Sequence, residues 1–308
     1  MKISIITVTL NNKTGLLRAI ESVRAQTYKN VEHIIVDGGS TDGTVELMYN
    51  GEFRLYDLKF ISEKDDGIYD AINKGIKLAT GEVIGLLHSD DFYTNEFVLE
   101  KYAEVFMQSA THQVNGDLQN QQPITNSHPP VYAVYSDLVY VGRKLEVGGG
   151  QVEENEKQSN DQSPIPYTLY PIPYTIIRYW KAHKTKEDFA TKTQRHKKLK
   201  NGWMPPHPTL FVRKEVFEKY GLYRTDMKIA ADYEMILRLF WKHKITAKYL
   251  PVTTYCMTVG GASNKSLKNI FNKSKEDFKS IRLHKLPFPL YTLMMKNLQK
   301  VPQFFIHH

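Results

Sequence analysis

The chain has 308 residues, 41% hydrophobic and 24% charged, which suits one large α/β domain with an appendage or two small domains. Its net charge of +8 points to an anionic partner: phosphate, nucleic acid or acidic lipid. The single cysteine, Cys256, excludes an internal disulfide framework and a cysteine-based zinc site, and no run reaches the roughly 18 apolar residues of a membrane-spanning helix.

Lys2 to Leu10 is rich in β-branched residues and reads as a buried parallel strand, entered with no secretory leader pattern. Asn11 to Gly15 is a turn, and Thr14 is expected to cap a helix with Leu16, Leu17, Ile20 and Val23 at helical spacing. Val31 to Val36 is a second strand, closed by the turn-rich run Asp37 to Gly43 and followed by a helix from Thr44 to Tyr49. Leu58 to Ile61 is a third strand. After a turn at Asp65, Asp66 and Gly67, Tyr69 to Thr80 forms a helix with Ile72, Ile76 and Ala79 inward, stopped by Gly81. Val83 to Leu87 is a fourth, buried strand.

This alternation predicts an α/β fold with a mostly parallel sheet, right-handed crossovers and helices on both faces. Ligands of such sheets sit at the carboxyl ends of the strands, where Thr9, Asp37, the run Glu63 to Asp66, and Asp90 with Asp91 all fall. Adjacent carboxylates at the end of a buried strand cost desolvation energy unless something pairs with them. A hard divalent ion shared with phosphate oxygens would do so. The competing account is that Asp90 or Asp91 caps the helix that begins near Asn95.

Asn95 to Gln108 is that helix. Residues 111–130 and 148–166 are polar insertions flanking a strand from Val131 to Val141. Lys181 to Lys200 is strongly basic and reads as a solvated helix face or loop, ahead of an anion site. It lacks the interleaved aromatics that stack on nucleic acid, so no nucleic-acid role is expected. Pro205, Pro206 and Pro208 stiffen the approach to a strand from Thr209 to Val212, with His207 among them. A helix from Glu215 to Lys219 ends at Gly221. Ala230 to Phe240 reads as a strong helix with Asp232 at its start, either as a cap or as a first-turn acid. Thr246 to Thr254 is strand-like, and Gly260 to Ser263 is a turn. The tail, 286–306, is apolar but broken by prolines and lysines. With Lys279, Arg282 and Lys285 upstream it reads as an interfacial membrane segment, against the alternative of helices docked on the core.

Five segments occur in order: Thr7 to Asn12, Val36 to Thr44, Gly67 to Gly75, Ala79 to Glu82, and His88 to Asp91. Together they resemble the nucleotide-sugar half of the family-2 glycosyltransferases, inverting enzymes of GT-A fold. Pro206 to Arg213 and Ala231 to Glu234 resemble the acceptor-side motifs of members that build bacterial surface polysaccharides. The resemblance implies a nucleotide-sugar half at 1–110, an acceptor half at 111–265 and a basic, apolar tail at 266–308. It implies a hexosyltransferase acting at the cytoplasmic face of the cell membrane, with Mn²⁺ or Mg²⁺, a nucleotide diphosphate sugar (a UDP-sugar is favoured) and a glycan or lipid-linked acceptor. Peripheral membrane contact would run through 279–306.

Residue by residue, Thr9 and Asp37 match nucleoside-contacting positions, with Asp66 and Asp70 on the nucleotide side. Asp90 and Asp91 match the metal and diphosphate motif, and Asp232 matches the general base. His88, His207 and Arg213 are candidates for the diphosphate or acceptor. Two positions depart from the family pattern: Gly38 stands where many members have a second acid, and His88 where many have a further acid before Asp90. The alternative these departures leave is a non-catalytic nucleotide-sugar-binding or scaffold homologue. A sugar nucleotidyltransferase would need a Gly-rich N-terminal loop ending in Arg and Lys, which this chain lacks.

Overall fold

The computed structural model describes residues 1–50, 57–111, 130–143, 174–182, 192–259 and 267–299. The first polar insertion except residues 111 and 130, the whole of the second, the Gly260 to Ser263 turn and the last residues of the tail lie outside the described residues.

Strand β1 (Ile3–Thr9) is buried along its whole length, as a continuous apolar run should be when both sheet faces are covered. It pairs in parallel with β2 (Val31–Asp37) on one side and β4 (Val83–Leu86) on the other, and β2 pairs in parallel with β3 (Leu58–Ser62). The crossover helices are α1 (Lys13–Arg24), α2 (Thr44–Asn50) and α3 (Ile68–Leu78). Alternate strand residues serve the two faces. Ile6, Ile34, Ile72 and Ile76 share one apolar cluster, while Leu16, Ile20, Ile35 and Met48 form another. The register sets Thr9 beside Asp37, so the carboxyl ends of β1 and β2 are level.

Beyond β4 the sheet turns antiparallel. There β4 meets β8 (Phe211–Arg213), which meets β6 (Ala133–Arg143). Next to β6, in parallel, lies β9 (Ala247–Thr258), and β9 carries the two-residue β5 (Phe92–Tyr93) at its far edge. A further strand, β7 (Tyr174–Trp180), pairs with β6 off this path. Among the described residues the second half of the chain thus continues the sheet of the first.

Several local expectations are corrected. The cap of α1 is Asn12, whose side chain accepts from the Gly15 N–H, and not Thr14. Neither Asp90 nor Asp91 caps a helix: α4 (Val98–Thr111) starts later, and Asn95 accepts from the Phe97 N–H instead. The long helix expected from Ala230 is a short α7 (Ala231–Ile236) that widens into a π turn, Leu237–Lys242. The strand expected from Thr209 to Val212 begins two residues later, as β8, after a 3-10 turn at His207–Thr209.

A buried carboxylate fixes the turn into β4. Glu32 accepts from Ser4 Oγ at 2.5 Å, from the backbone N–H groups of Thr80 and Gly81 at 2.5 and 2.9 Å, and from Lys59 Nζ at 2.8 Å. Burial works to raise its pKa, but these donors outweigh that and hold it well below the usual carboxylate range.

The C-terminal helices are α5 (Lys192–Lys200), α6 (Lys214–Tyr220), α8 (Leu267–Leu283) and α9 (Pro289–Leu298). One face of the last two docks on the core: Ile281, Leu286, Thr292 and Lys296 are buried. Lys296 lies 2.5 Å from the buried Asp277 and 3.6 Å from the centre of the Tyr233 ring. No helix among the described residues is long and apolar enough to cross a membrane.

Candidate functional site

The loop after β4 is tied to the start of α1. Asn12 donates to Asp90 Oδ1 at 2.7 Å and to Ser89 Oγ at 3.2 Å. Gly15 is required here because an added Cβ would lie 2.2 Å from the Ser89 carbonyl oxygen. Arg18 is buried beneath, with Nη1 directed at the Asp90 carbonyl (3.4 Å).

The two adjacent carboxylates have different duties. Asp90 is exposed. Asp91 is 3% exposed, and each of its oxygens accepts from the far end of the chain: Tyr255 Oη at 3.0 Å and the Thr258 N–H at 3.1 Å. Burial pushes Asp91 up to about 7; the Thr258 N–H and the Tyr255 hydroxyl pull against that rise, Asp90 adds to it and Arg18 opposes it. Asp91 therefore locks the loop to β9, and Asp90 is the carboxylate that faces out.

At the end of β2, Asp37 is fully buried and accepts from its own turn. Its Oδ2 takes the N–H groups of Gly39 (3.0 Å) and Ser40 (2.8 Å) and the Ser62 hydroxyl (2.7 Å), while its Oδ1 takes the Ser40 hydroxyl. Beside it, the Oγ1 of Thr9 is buried with no hydrogen-bond partner. At Gly38 an added Cβ would lie 2.7 Å from Asp65 Oδ2. Asp65 thus brings a carboxylate to the position where the family pattern has its second acid, which sequence reasoning missed in favour of Asp66.

Across the edge lies Asp232, in the first turn of α7. No side chain caps this helix, and Asp232 Oδ1 meets a long contact from Tyr69 Oη (3.4 Å), a hydroxyl that also reaches the Ile229 carbonyl at 2.9 Å. The segment before it is seated by α8: Glu276 accepts the N–H groups of Lys228, Ile229 and Ala230 at 2.8 to 2.9 Å. Burial would raise Asp232, but His207, Lys296, Lys273 and the Tyr233 N–H outweigh it and hold the carboxyl below its ordinary value. His207 is buried, 2.8 Å from Tyr223 Oη. His88 has a buried Nδ1 with no hydrogen-bond partner. Burial, then His207, brings His88 down to about 4 against the pull of Asp90 and Asp232, so its ring is neutral. His207, Asp90 and Asp232 thus all act on the charge of His88.

Three expected residues stand apart from this group. Asp70 accepts from the Asp66 N–H at 3.2 Å and lies 3.5 Å from Lys74, and the Asp66 carbonyl takes Lys228 Nζ at 2.7 Å. Both thereby organise the start of α3. Arg213 pairs across from Val83, at the opposite end of β4 from Asp90, and spends its guanidinium on the carbonyls of Val131 (2.8 Å) and Phe106 (3.2 Å). That corrects its expected place near the diphosphate or acceptor.

The sequence profile of glycosyl transferase family 2 matches residues 4–221 of this chain. The chain belongs to that family. This family-2 glycosyltransferase is 30% identical over 239 residues to an uncharacterised glycosyltransferase of Mycobacterium tuberculosis, covering 77% of this chain and 68% of that one. It is 24% identical over 272 residues to the PGL/p-HBAD biosynthesis glycosyltransferase of Mycobacterium bovis, covering 88% and 82%. In fold it resembles S. aureus TarS 1–349, with a TM-score of 0.60 at 15% identity, over 98% of this chain and 72% of that one. It spans 39% of a longer TarS chain. It also resembles the mannosyltransferase PcManGT from Pyrobaculum calidifontis in complex with GDP-Man and Mn²⁺, with a TM-score of 0.53 at 16% identity, over 99% and 73%. The GT-A expectation for the sheet and its flanking helices is met.

Proposed function

We propose that this glycosyltransferase is a metal-dependent, inverting hexosyltransferase. It moves a sugar from a nucleotide diphosphate, UDP in the favoured case, to a glycan or lipid-linked acceptor in bacterial surface-polysaccharide synthesis. The work is done at the inner face of the cell membrane, with peripheral contact through the C-terminal helices. The observation that carries the reading is that an outward carboxylate, Asp90, and a second carboxylate on a separate element, Asp232, both act on the buried ring of His88. TarS has been solved with UDP-GlcNAc and PcManGT with GDP-Man and Mn²⁺. Both bases therefore belong in any test.

The donor set suits a hard cation completed by substrate. Among the described residues no group of three or more His, Cys, Asp or Glu side chains is arranged to hold a metal. An ion held by one or two carboxylates and by phosphate oxygens needs no such cage. Asp90 is the carboxylate that would hold it, Asp91 fixes the loop, and the open Nδ1 of His88 is a neutral ligand or phosphate donor beside them. When bound, such an ion offsets charge that grows on the leaving diphosphate. Thr9, Asp37 and Asp65 form the nucleoside end.

The chain's own part is the proton. An acceptor hydroxyl is a poor nucleophile until a base takes its proton as the new bond forms. Asp232 is ionised at neutral pH and lightly bonded, so its oxygens are open to that proton. A base on one side and a leaving group on the other make a single displacement with inversion.

The test is a thermal-shift panel of UDP, GDP, CMP and dTDP with Mn²⁺, Mg²⁺ or chelator. Binding to the native state alone raises the melting temperature. The expected result is a metal-dependent shift with one diphosphate, lost in Asp90→Ala. Equal shifts with chelator would remove the metal from the reading. No shift on folded protein would favour a non-catalytic homologue.

A further inference from the structure

The basic helix α5, the π turn and the corner between α8 and α9 line an open pocket of about 390 Å³ that includes none of the carboxylates of the candidate site. Its lining is His196, Lys200, Trp241, Lys242, Lys244 and His284: five basic side chains and one indole, with His284 Nε2 paired behind the wall to the buried Glu234 at 2.9 Å. The walls are fixed by hydrogen bonds. Trp241 Nε1 donates to the His284 carbonyl at 3.0 Å, and His196 Nε2 lies 3.2 Å from the Trp241 carbonyl. Lys200, Lys242 and Lys244 are exposed at the mouth. The adjoining His243 is held below its ordinary pKa by burial and then by Lys242, Arg238, His284 and Lys219, as expected in a cationic field.

A built apolar edge adjoins this pocket. Four residues past His284, Phe288 stands between Pro287 and Pro289 and is 77% exposed. Lys285 and Phe288 both take left-handed backbone angles, φ 52° and 54°. Bulky side chains adopt that region only at a cost, so the corner is held outward against local preference. Leu290, Met294 and Leu298 follow at helical spacing, all more than half exposed, with Arg282 and Lys285 exposed alongside. The other face of α9 is anchored on the end of α5, where Thr292 Oγ1 donates to the Lys200 carbonyl at 2.8 Å. Pocket and stripe are therefore one continuous surface.

We propose that this pocket binds the phosphate headgroup of an acidic phospholipid, while Phe288, Leu290, Met294 and Leu298 enter the headgroup zone beside it. The proposal rests on the membrane contact stated above and adds the groups that read the lipid. Cations near an anionic bilayer and apolar side chains in its interface act together, and neither alone gives firm attachment.

The experiment is flotation of the full chain with vesicles of phosphatidylcholine, with and without phosphatidylglycerol. The variants are K200E/K242E/K244E at the pocket, K29E/K77E/K248E as a control of equal charge change elsewhere, and F288S/L290S at the edge. Each is first checked for an unchanged nucleotide-induced thermal shift, which shows that it is folded. Wild type is expected on acidic vesicles only. The pocket variant is expected to bind at least about tenfold more weakly, the edge variant to lose binding as well, and the control to change less than about threefold. Equal losses in pocket and control variants would reduce the effect to net charge and overturn the pocket. Wild-type binding that survives the pocket variant would overturn it too. Failure of wild type on both vesicles would overturn the membrane contact, yet leave the metal-dependent nucleotide shift standing as a separate result.

Discussion

The carboxylates at the ends of the parallel strands and the carboxylate at the start of α7 are held in opposite ways. Asp37 accepts four hydrogen bonds, and each oxygen of Asp91 accepts from β9. Asp232 meets Tyr69 Oη at 3.4 Å and the Tyr233 N–H, and is kept ionised chiefly by surrounding charge. A saturated carboxylate shapes a loop and has little left to give a substrate. A lightly bonded one is open to a proton. The donor edge is thus a rigid cradle, and the acceptor edge carries the reactive group.

The largest effect expected from this contrast is at Asp232. Asp232→Asn should lower transfer about a hundred- to ten-thousand-fold while leaving nucleotide affinity nearly unchanged. Titration of the variant with the diphosphate found in the thermal-shift panel checks this, and a lost affinity would move Asp232 to the donor side. Asp37→Ala should do the reverse. It strands the N–H groups of Gly39 and Ser40 and the hydroxyls of Ser40 and Ser62. Stability should drop by about 3 kcal/mol in urea unfolding, and the nucleotide shift should vanish with it. An unfolding midpoint within error of wild type would break the cradle picture.

Smaller effects sharpen it. Tyr255→Phe removes the hydroxyl shared by Asp91 and the His88 N–H. It should cost about 1–2 kcal/mol and weaken metal-dependent nucleotide binding, since the Asp90 loop loses its tie to β9. His33, buried 2.8 Å from Thr7 Oγ1, tests whether the floor of the cradle is dry. Burial lowers it to about 3 from 6.5, so the unfolded chain takes up the proton first. Its stabilising effect is therefore complete above about pH 6.5. It declines as pH falls toward 3, at about 1.4 kcal/mol per pH unit. In urea titrations His33→Gln should show a shallower pH slope through that window; an unchanged slope would mean water reaches the ring.

The donor edge was legible in the sequence because its determinants are local. The turn that saturates Asp37 lies mostly within three residues of it, and apolar runs with turn residues marked β1 to β4. The misses are small and have local causes. Asn12 outcompeted Thr14 because its amide also bonds Ser89 and Asp90, and Asp65 was passed over for its neighbour because which of two adjacent acids turns toward Gly38 is a backbone matter. The acceptor edge was legible only as a motif. Tyr255 and Thr258 lie more than 160 residues from Asp91, and no periodicity announces such a partner. Two-residue β5 is too short to leave a pattern. In the tail, apolar composition signalled both an exposed stripe and a docked face. Only the structure separates Leu290, Met294 and Leu298 from the buried Thr292 and Lys296.

The Glu276 carboxylate, which gathers the three N–H groups ahead of α7, has a bearing on engineering. The family match ends at residue 221, and Asp232, Glu276 and Lys296 all lie beyond it. A chimera that trades acceptor preference between relatives must therefore move α7 through α9 as one cassette. A splice between 259 and 267 would graft Asp232 onto a foreign seat.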